Sequence, residues 1–386
     1  MVYIPTVKQE EYMKITDVRV LRVRGNFEWN IIRMDTSDGL VGFGEAYWGP
    51  GVANMVIELK NLFIGQDPTN PEPIYTKAYR SAIPFGGTGG TVTTALSGLE
   101  IALWDIYGKA VDLPIYKLLG GKFRDGVLVY ADCHAGEGGS IEPSDYAEKA
   151  IKVKKLGFQA LKFDFDFTCY DPFSRKLRPE WFRHAVKVVE AVKNAVGDNV
   201  ELAFDCHWAF SVADAVKLAK LMEPYGLMWL EDLIPPENVN ALEKISKKTS
   251  TPLCSGENQY TRFGIMPLIE KQAVDVIAPD IPKVGGLIEG KKIADLADMH
   301  YILFAPHNVA SPLGTVAAVH LCVATPNFLT LEFHSLDVPI WKKMLREGYI
   351  IDNGYIKVPE RPGLGVELDM KTLIDCVGEE AEKFFS

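Results

Sequence analysis

From Val127 onwards, short apolar runs alternate with longer stretches that have the periodicity of amphipathic helices. The apolar runs are nearly continuous, which is typical of strands covered on both faces. Eight strands are predicted, at Val127–Asp132, Ala160–Phe165, Val200–His207, Met228–Asp232, Pro252–Glu257, Val274–Asp280, Tyr301–His307 and Phe328–Phe333. With seven helical segments between them, these strands predict a parallel β/α barrel.

The chain before the barrel has a different pattern. Ile15–Arg24 and Asn30–Thr36 are rich in β-branched residues, and a turn at Ser37-Asp38-Gly39 leads to a third strand at Val41–Ala46. Helical periodicity follows and is clearest over Val92–Ala110. This order of elements predicts a small α+β domain.

The two patterns divide the chain into three parts. They are the α+β domain over residues 1–122, the barrel over residues 123–349, and a tail over residues 350–386. The tail contains several proline and glycine residues before a last helical pattern, and we expect it to pack back on the N-terminal domain.

Composition narrows the functional classes. The 386 residues are 47% hydrophobic and 24% charged, the ordinary balance of a globular protein. The net charge of −10 argues against nucleic acid or an anionic membrane surface as a partner. No apolar run is long enough to span a bilayer, no signal-peptide pattern is present, and the six cysteines form no CxxC or disulfide framework. We therefore expect a cytoplasmic protein.

Three carboxylates end consecutive predicted strands. Asp205, Glu231 and Glu257 are separated by 26 residues each time, about one strand–helix–strand unit. Because the ends of parallel barrel strands converge on one face, we expect these side chains to be neighbours. Clustered carboxylates repel one another unless a cation lies among them, and oxygen ligands suit Mg²⁺. The alternative, three unrelated acidic residues in loops, accounts less well for the even spacing.

Polar residues also end the other barrel strands, where catalytic residues of β/α barrels lie. They are Lys162, Asp164, His207, Asp280, His307 and Glu332. Asp280 and His307 end adjacent strands, so a carboxylate–imidazole contact that makes His307 a general base is expected. His207 shares a strand face with Asp205 and is expected to point into the same cavity.

The other histidines are interpreted by their position. His184, His300 and His320 lie on predicted helices and are interpreted as structural residues. His134 and His334 lie near strand ends, and either could line the pocket.

Taken together, these features resemble the enolase superfamily, in the branch of mandelate racemase and the acid-sugar dehydratases. The resemblance covers nearly all of residues 14–370. It includes the antiparallel meander formed by the three N-terminal strands, the Ala-Leu-Trp-Asp run around Trp104, Leu118–Gly121, the three carboxylates and the Asp280/His307 pair. It implies a modified TIM barrel whose N-terminal α+β domain caps the barrel and is completed by the C-terminal tail. It also implies Mg²⁺ at the three carboxylates, a proton-abstracting Asp280/His307 dyad, and a hydrogen bond from Glu332 to the substrate carboxylate as it becomes an enolate.

The chain departs from some branches of that superfamily. Muconate-lactonizing relatives carry a lysine where this chain has Asp280. Mandelate-type racemases end the second strand in Lys-x-Lys, whose second lysine is a second base; here Lys162 remains, to pair with the substrate carboxylate, and Asp164 replaces the other. His207 resembles the general acid of galactonate-type dehydratases. One base and one acid suit the loss of water better than racemisation.

Two aromatic loops lie in the N-terminal domain, at Phe27-Glu28-Trp29 and at Tyr47-Trp48-Gly49-Pro50-Gly51. The resemblance places such loops over the barrel mouth. The predicted substrate-binding residues are Lys162, Asp164, Glu332, Trp29, Tyr47, Trp208 and His334. The alternative is that the aromatic residues only join the two domains.

The resulting hypothesis is a Mg²⁺-dependent dehydratase of an aldonate, such as gluconate, galactonate or a pentonate, that forms a 2-keto-3-deoxy acid. An epimerase or racemase of a related hydroxy acid, and a sugar-acid binding protein without catalysis, are the alternatives. The resemblance further implies a homo-oligomer, for example an octamer.

Overall fold

A computed structural model describes residues 12–133, 140–165, 170–171 and 173–386. Its N-terminal part is an antiparallel meander followed by helices. The meander comprises β1 (Ile15–Arg24), β2 (Glu28–Thr36) and β3 (Val41–Ala46), and the helices are α1 (Val52–Leu59), α2 (Pro71–Ala82), α3 (Gly90–Ala110) and α4 (Ile115–Leu118). The predicted α+β pattern of this region is confirmed.

Helix α3 is the core of the N-terminal part and packs on β3 on one side and on the barrel on the other. Glycines let the backbones of α3 and β3 touch. A Cβ on Gly44 would lie 2.2 Å from the carbonyl oxygen of Gly98, and a Cβ on Gly98 would lie 2.6 Å from the amide nitrogen of Ala46. Because no side chain fits between them, α3 and β3 form one tightly packed block.

The described part of the chain between α4 and the C-terminal tail contains ten strands, eight of which form a closed parallel barrel. In chain order the strands are β4 (Gly126–Cys133), β5 (Ala160–Asp164), β6 (Tyr170–Asp171), β7 (Lys176–Leu177), β8 (Glu201–Asp205), β9 (Leu230–Glu231), β10 (Leu253–Ser255), β11 (Val276–Ile277), β12 (Leu303–Phe304) and β13 (Leu331–Phe333). Strands β6 and β7 pair only with each other, outside the barrel. The other eight follow one another around the ring, which is closed by the pairing of β13 with β4 and by a parallel bridge between Phe304 of β12 and Phe328. The predicted barrel is confirmed; seven of its strands are shorter than the predicted apolar runs, and β4 is longer than its run by one residue at each end.

Helices cover the outside of the barrel. They are α5 (Pro143–Lys155), α6 (Pro179–Val196), α7 (Val212–Met222), α8 (Val239–Ser246), α9 (Thr261–Glu270), α10 (Ile281–Val284), α11 (Gly286–Met299) and α12 (Pro312–Val323). The short α10 and the longer α11 both follow β11, so seven connections carry helices. Within the described part of the chain, no helix is long and apolar enough to cross a membrane.

The C-terminal tail contacts both halves of the molecule. It contains β14 (Ile351–Asp352), β15 (Tyr355–Lys357), α13 (Met370–Val377) and α14 (Glu379–Phe385). Strand β15 pairs antiparallel with β4 of the barrel. At its other end, the guanidinium of Arg33 in β2 donates to the carbonyl oxygen of Phe384 at 2.9 Å. The division at residues 122 and 349 stays a prediction.

A small cluster of buried side chains fills the barrel interior and forms the floor beneath the strand ends. Its members are Tyr130, Ala160, Ala203, Trp229, Cys254, Val276, Ala278 and Ala305. The two large rings meet edge to face, with centroids 5.4 Å apart. Since side chains alternate along a strand, the residue two positions after a floor residue also points inward, one layer higher. In this way Ala203 and Trp229 set the direction of Asp205 and Glu231.

Candidate active site

A cavity of about 920 Å³ opens at the C-terminal ends of the barrel strands. The N-terminal part forms its other wall, with Phe27 and Trp48 from loops and Thr91 from the start of α3. Most of the predicted site residues line it: Tyr47, Lys162, Asp164, Asp205, His207, Trp208, Glu257, His307, Glu332 and His334. The sequence therefore points to residues that the fold gathers around one cavity.

The three evenly spaced carboxylates meet at the base of this cavity. Asp205, Glu231 and Glu257 are buried, and each offers an oxygen within 4.8 Å of the others. Burial raises the pKa of Glu231 to about 8; Lys162 opposes this rise, and the nearby Asp205 carboxylate adds to it. Bringing these groups together without a cation is thus electrostatically costly.

The donor set fits a hard divalent cation. All three side chains supply carboxylate oxygens, as Mg²⁺ prefers. Glu231 Oε1 is buried and has no hydrogen-bond partner among the residues that the structure describes. Such an oxygen is normally satisfied, so an ion is a natural partner for it.

Lys162 lies at the centre of a ring of four carboxylates. Its Nζ is 3.2 Å from both Asp205 Oδ2 and Glu231 Oε2, and 3.0 Å from Glu332 Oε1. Asp132 Oδ2 is 3.6 Å away. Burial alone would lower the pKa of Lys162, but Glu231, Glu332 and the other carboxylates raise it well above its usual value. The ammonium group is therefore charged, and it balances the acidic cluster.

Asp280 and His307 form the predicted carboxylate–imidazole pair. His307 Nδ1 is 2.8 Å from Asp280 Oδ2, and its Nε2 is 3.2 Å from Glu257 Oε2. Burial lowers the pKa of His307, but Glu257, Glu332 and Asp280 outweigh burial and raise it to about 10. Asp280 thus fixes one ring nitrogen and leaves the other at the edge of the carboxylate cluster.

His207 lies on the other side of the cluster, in a strained turn. His207 and Trp208 have φ values of 40° and 58°, which side-chain-bearing residues seldom adopt. The backbone amide of His207 donates to Asp205 Oδ1 at 2.9 Å, and its ring Nε2 is 3.7 Å from Asp205 Oδ2. The turn ends β8 and folds the imidazole back towards the carboxylates.

The aromatic loops contribute unequally to the cavity. Tyr47 lies against His307 with ring centroids 5.9 Å apart, and Phe27 stacks on Trp48 at 4.8 Å. Trp29 is not among the lining residues, because its ring is buried and its indole N–H donates to the carbonyl oxygen of Val309 at 3.2 Å. For Trp29 the geometry matches the alternative, an aromatic residue that joins the N-terminal part to the barrel.

Comparison with known proteins agrees with this architecture. The model of the mandelate racemase / muconate lactonizing enzyme N-terminal domain matches residues 19–120, and that of the enolase C-terminal domain-like family matches residues 145–372. The chain belongs to the enolase superfamily. Its predicted resemblance is thereby confirmed.

Individual relatives of this superfamily cover almost the whole chain. The D-xylonate dehydratase of Haloferax volcanii is 44% identical over 92% of this chain and 87% of its own length. The D-gluconate dehydratase of Thermoproteus tenax is 32% identical over 98% of this chain and 76% of its own length. A mandelate racemase/muconate lactonizing enzyme-like protein of Rubrobacter xylanophilus, known from a crystal structure, is 41% identical, with a TM-score of 0.90 over 95% of this chain and 98% of its own.

Two residues of this superfamily member's cavity were missed by the sequence analysis. Lys283 is buried, donates to Asn258 Oδ1 at 2.6 Å and lies 4.6 Å from the ring centre of Tyr47. Asp132 joins the ring around Lys162. Asp132 ends the first predicted strand, so reading that strand end with the other seven would have found it. Lys283 follows Asp280 by three residues, but no strand end marks it.

Three further described residues of the sequence analysis lie outside the carboxylate cluster and the histidine pair. His320 is buried and its ring contacts Tyr116 N–H and the carbonyl oxygen of Leu364, as a structural histidine does. Asp164 and His334 line the cavity, and Asn26 Nδ2 is 3.1 Å from His334 Nδ1. His134 lies outside the described residues.

Proposed function

We propose that this chain is a Mg²⁺-dependent sugar-acid dehydratase. It removes the proton on C2 of an aldonate and expels the hydroxyl on C3 as water, and the resulting enol becomes a 2-keto-3-deoxy acid. One observation carries the proposal: two imidazoles approach one carboxylate cluster, His307 Nε2 at 3.2 Å from Glu257 and His207 Nε2 at 3.7 Å from Asp205. The names of the xylonate and gluconate dehydratases among the relatives support the same reaction class.

His307 is the proposed base. Its Nδ1 is held by Asp280 at 2.8 Å, so the lone pair that accepts the C2 proton is on Nε2. A pKa of about 10 would keep the ring protonated at neutral pH. The carboxylates that raise this pKa are those offered to a cation, so a divalent ion held by Glu257 would oppose the rise.

The proton on C2 is weakly acidic, and its removal needs strong stabilisation of the enediolate. Asp205, Glu231 and Glu257 would hold Mg²⁺, which supplies positive charge to the substrate oxygens when it is bound. Lys162 adds a fixed positive charge beside Asp205 and Glu332. Glu332 has a pKa held well below its usual value, because Lys162 and His307 outweigh the effect of burial. An ionised carboxylate only accepts hydrogen bonds, so the hydrogen bond to the substrate carboxylate that the resemblance implies would require Glu332 to take up a proton.

His207 is the proposed acid. Hydroxide is a poor leaving group, so departure of the C3 hydroxyl needs a proton at that oxygen. The ring of His207 lies at the open side of the cluster, with its side chain 37% exposed. In this proposal, a substrate that spans the cavity carries its C3 hydroxyl beside this ring.

Only one face of C2 has a base in this proposal. Asp164 occupies the position of the second lysine of mandelate-type racemases, and Lys162 is enclosed by carboxylates. We therefore expect one C2 epimer of a substrate to react in D₂O and the other to stay unlabelled.

The test is a panel of aldonates and aldarates incubated with the protein and Mg²⁺, with 2-keto acid formation measured. Pentonates and hexonates are both included, because the relatives named above act on both sizes. The matched control is His307→Asn, which is expected to form no product from the best substrate.

Two results would replace the proposal. Interconversion of C2 epimers without 2-keto acid would identify an epimerase. Tight binding of a sugar acid with neither proton exchange nor product would identify a binding protein.

A further inference from the structure

Two buried carboxylates of the N-terminal part reach across to the barrel. Glu45 lies near the end of β3, and Glu100 lies in the middle of α3. Both belong to the block in which β3 and α3 are joined through Gly44 and Gly98. Neither side chain lines the cavity, and neither is used in the proposed chemistry.

Glu45 binds the start of α12. Its Oε1 accepts the amide of Ser311 at 2.9 Å, its Oε2 accepts the amide of Gly314 at 2.9 Å, and the hydroxyl of Ser311 also donates to Oε2. The first amides of a helix have no partner within the helix. A carboxylate there accepts their hydrogen bonds and interacts favourably with the positive end of the helix dipole.

Glu100 binds the start of α11 in the same way. Its Oε2 accepts the amide of Leu287 at 2.8 Å, and its Oε1 accepts the amide of Ile288 at 2.9 Å. Ser97, one turn earlier in α3, accepts the amide of Gly285 at 2.8 Å. Helix α11 has no side-chain cap of its own, so its end is completed by the N-terminal part.

Both contacts leave no room for a side chain. A Cβ on Gly286 would lie 2.0 Å from Glu100 Oε2, and a Cβ on Gly314 would lie 2.8 Å from Glu45 Oε2. The backbone at each helix start therefore approaches its carboxylate as closely as glycine permits.

The two helices follow the strands that carry the dyad. Asp280 precedes α10 and α11, and the loop from His307 leads into Ser311 and α12. We propose that Glu45 and Glu100 are positioning residues, which hold the starts of α12 and α11 so that His307 and Asp280 stay aligned at the cavity. This inference rests on the proposed role of the dyad.

The position of Glu45 strengthens the inference. It is two residues before Tyr47, whose ring lies 5.9 Å from the ring of His307 and whose amide donates to the carbonyl oxygen of Pro282 at 3.0 Å. One strand end thus contacts the segments that follow both members of the dyad.

Asp105 provides a matched control. It also lies in α3, is buried, and accepts two amides, those of Phe43 and Leu364, each at 2.8 Å. A Cβ on Gly363 would lie 2.2 Å from its Oδ1, so a glycine backbone approaches it as closely as at the two glutamates, although Lys109 Nζ also donates to its Oδ2 at 2.6 Å. Its amide partners are in β3 and in the C-terminal tail, however, and not in a segment that follows the dyad.

The test compares Glu45→Gln, Glu100→Gln and Asp105→Asn in the full chain with saturating Mg²⁺. The amide variants keep the shape of the side chain and replace one acceptor oxygen by an NH₂ group. We expect all three to lower thermal stability. Only Glu45→Gln and Glu100→Gln are expected to lower kcat, by about tenfold or more, because small displacements of a catalytic group are costly. The KM is expected to change by less than about threefold, because Glu45 and Glu100, the two anchors of these helices, do not line the substrate cavity.

Equal losses of kcat in all three variants, or wild-type kcat in both glutamate variants, would overturn the proposal. If Glu100→Gln does not fold, Ser97→Ala replaces it. This change removes the acceptor for the Gly285 amide, together with one hydrogen bond to the carbonyl oxygen of Thr93 inside α3, and is expected to lower kcat about threefold.

Amide hydrogen exchange separates this inference from the proposed function. Glu100→Gln is expected to speed exchange in residues 285–288, Glu45→Gln in residues 311–314, and Asp105→Asn in neither segment. If the wild-type protein dehydrates no aldonate, the proposed function fails while the exchange measurement still tests the anchors. Unchanged exchange in both glutamate variants would exclude them as anchors.

Discussion

The two histidines of the site are held in contrasting ways. The ring of His307 is 7% exposed, and each of its nitrogens is near a carboxylate, at 2.8 Å and 3.2 Å. The ring of His207 is 37% exposed, with its Nε2 3.7 Å from Asp205. The segments after Asp280 and His307 are tied to the N-terminal part, whereas His207 follows its strand in a left-handed turn.

This difference matches the two tasks proposed for them. Abstracting a weakly acidic proton requires a base fixed in position before the substrate binds, because misalignment is costly. Donating a proton to a departing hydroxyl requires access to an atom whose position depends on the sugar. The comparison predicts that the two steps can be separated by mutation.

Removing the cation is expected to have the largest effect on activity, because the carboxylate cluster that would hold it lies between His307 and His207 and serves both proposed steps. Chelation with EDTA should abolish 2-keto acid formation, and Mg²⁺ should restore it. Glu231→Gln should weaken Mg²⁺ binding, measured by titration calorimetry, because it removes one charge from the cluster. The control is Glu237→Gln, an exposed residue after the same strand. Full activity after exhaustive chelation would contradict the metal assignment.

His307→Asn should abolish both C2 proton exchange and dehydration, because neither step can start without the base. We expect a loss of about 10⁴-fold in kcat, the upper range for general acid–base catalysis. NMR of recovered substrate in D₂O, beside the 2-keto acid assay, measures both steps. Surviving exchange on the expected epimer would show that another group is the base.

His207→Asn should separate the two steps. Dehydration is expected to fall by about 10²- to 10³-fold, whereas C2–H exchange in D₂O should remain measurable. His300→Asn, at the end of α11 and away from the cavity, serves as a histidine control and should keep both rates. Dehydration at close to the wild-type rate would assign the acid to another group, such as His334.

The smallest expected effect is on the free energy of unfolding and comes from Glu45, which binds the start of α12 after His307. Burial raises the pKa of Glu45 from 4.5 to about 7, against its hydrogen bonds with Ser311 and Gly314. The folded state therefore binds the proton of Glu45 more tightly than the unfolded state does. The resulting contribution to folding stability is present in full below pH 4.5 and is lost as pH rises through 7. It amounts to at most about 3 kcal/mol.

Glu45→Gln removes this titration. Thermal unfolding of both proteins between pH 5 and pH 8 should show the wild type losing stability relative to the variant as pH rises. A constant difference in midpoint across that range would mean that Glu45 stays in one protonation state.

The sequence predicts the barrel and the carboxylate cluster well because both depend on local patterns. Each strand is an apolar run, and Asp205, Glu231 and Glu257 each end one. Six of the eight predicted strands run too far at their C-terminal ends. His207 and Asp232, for example, have φ values of 40° and 44° and leave the sheet, and an apolar pattern does not encode such a turn.

Contacts between distant parts of the chain were beyond the sequence analysis. Trp29 is held away from the cavity by such a contact: its ring is buried, and its indole N–H donates to the carbonyl oxygen of Val309, 280 residues further along. Glu45 and Glu100 lie in apolar surroundings, but the amides they bind are more than 180 residues further along. No local spacing marks such partners.

The floor of the barrel has an optical consequence. The indole N–H of Trp229 donates to Glu231 Oε2 at 2.8 Å, and this ring is fully buried. An ion that draws charge from that oxygen changes the electric field along the indole, which governs the wavelength of its emission. We therefore expect the emission of Trp229 to change when an ion occupies the carboxylate cluster, which would allow metal binding to be followed in variants that turn nothing over.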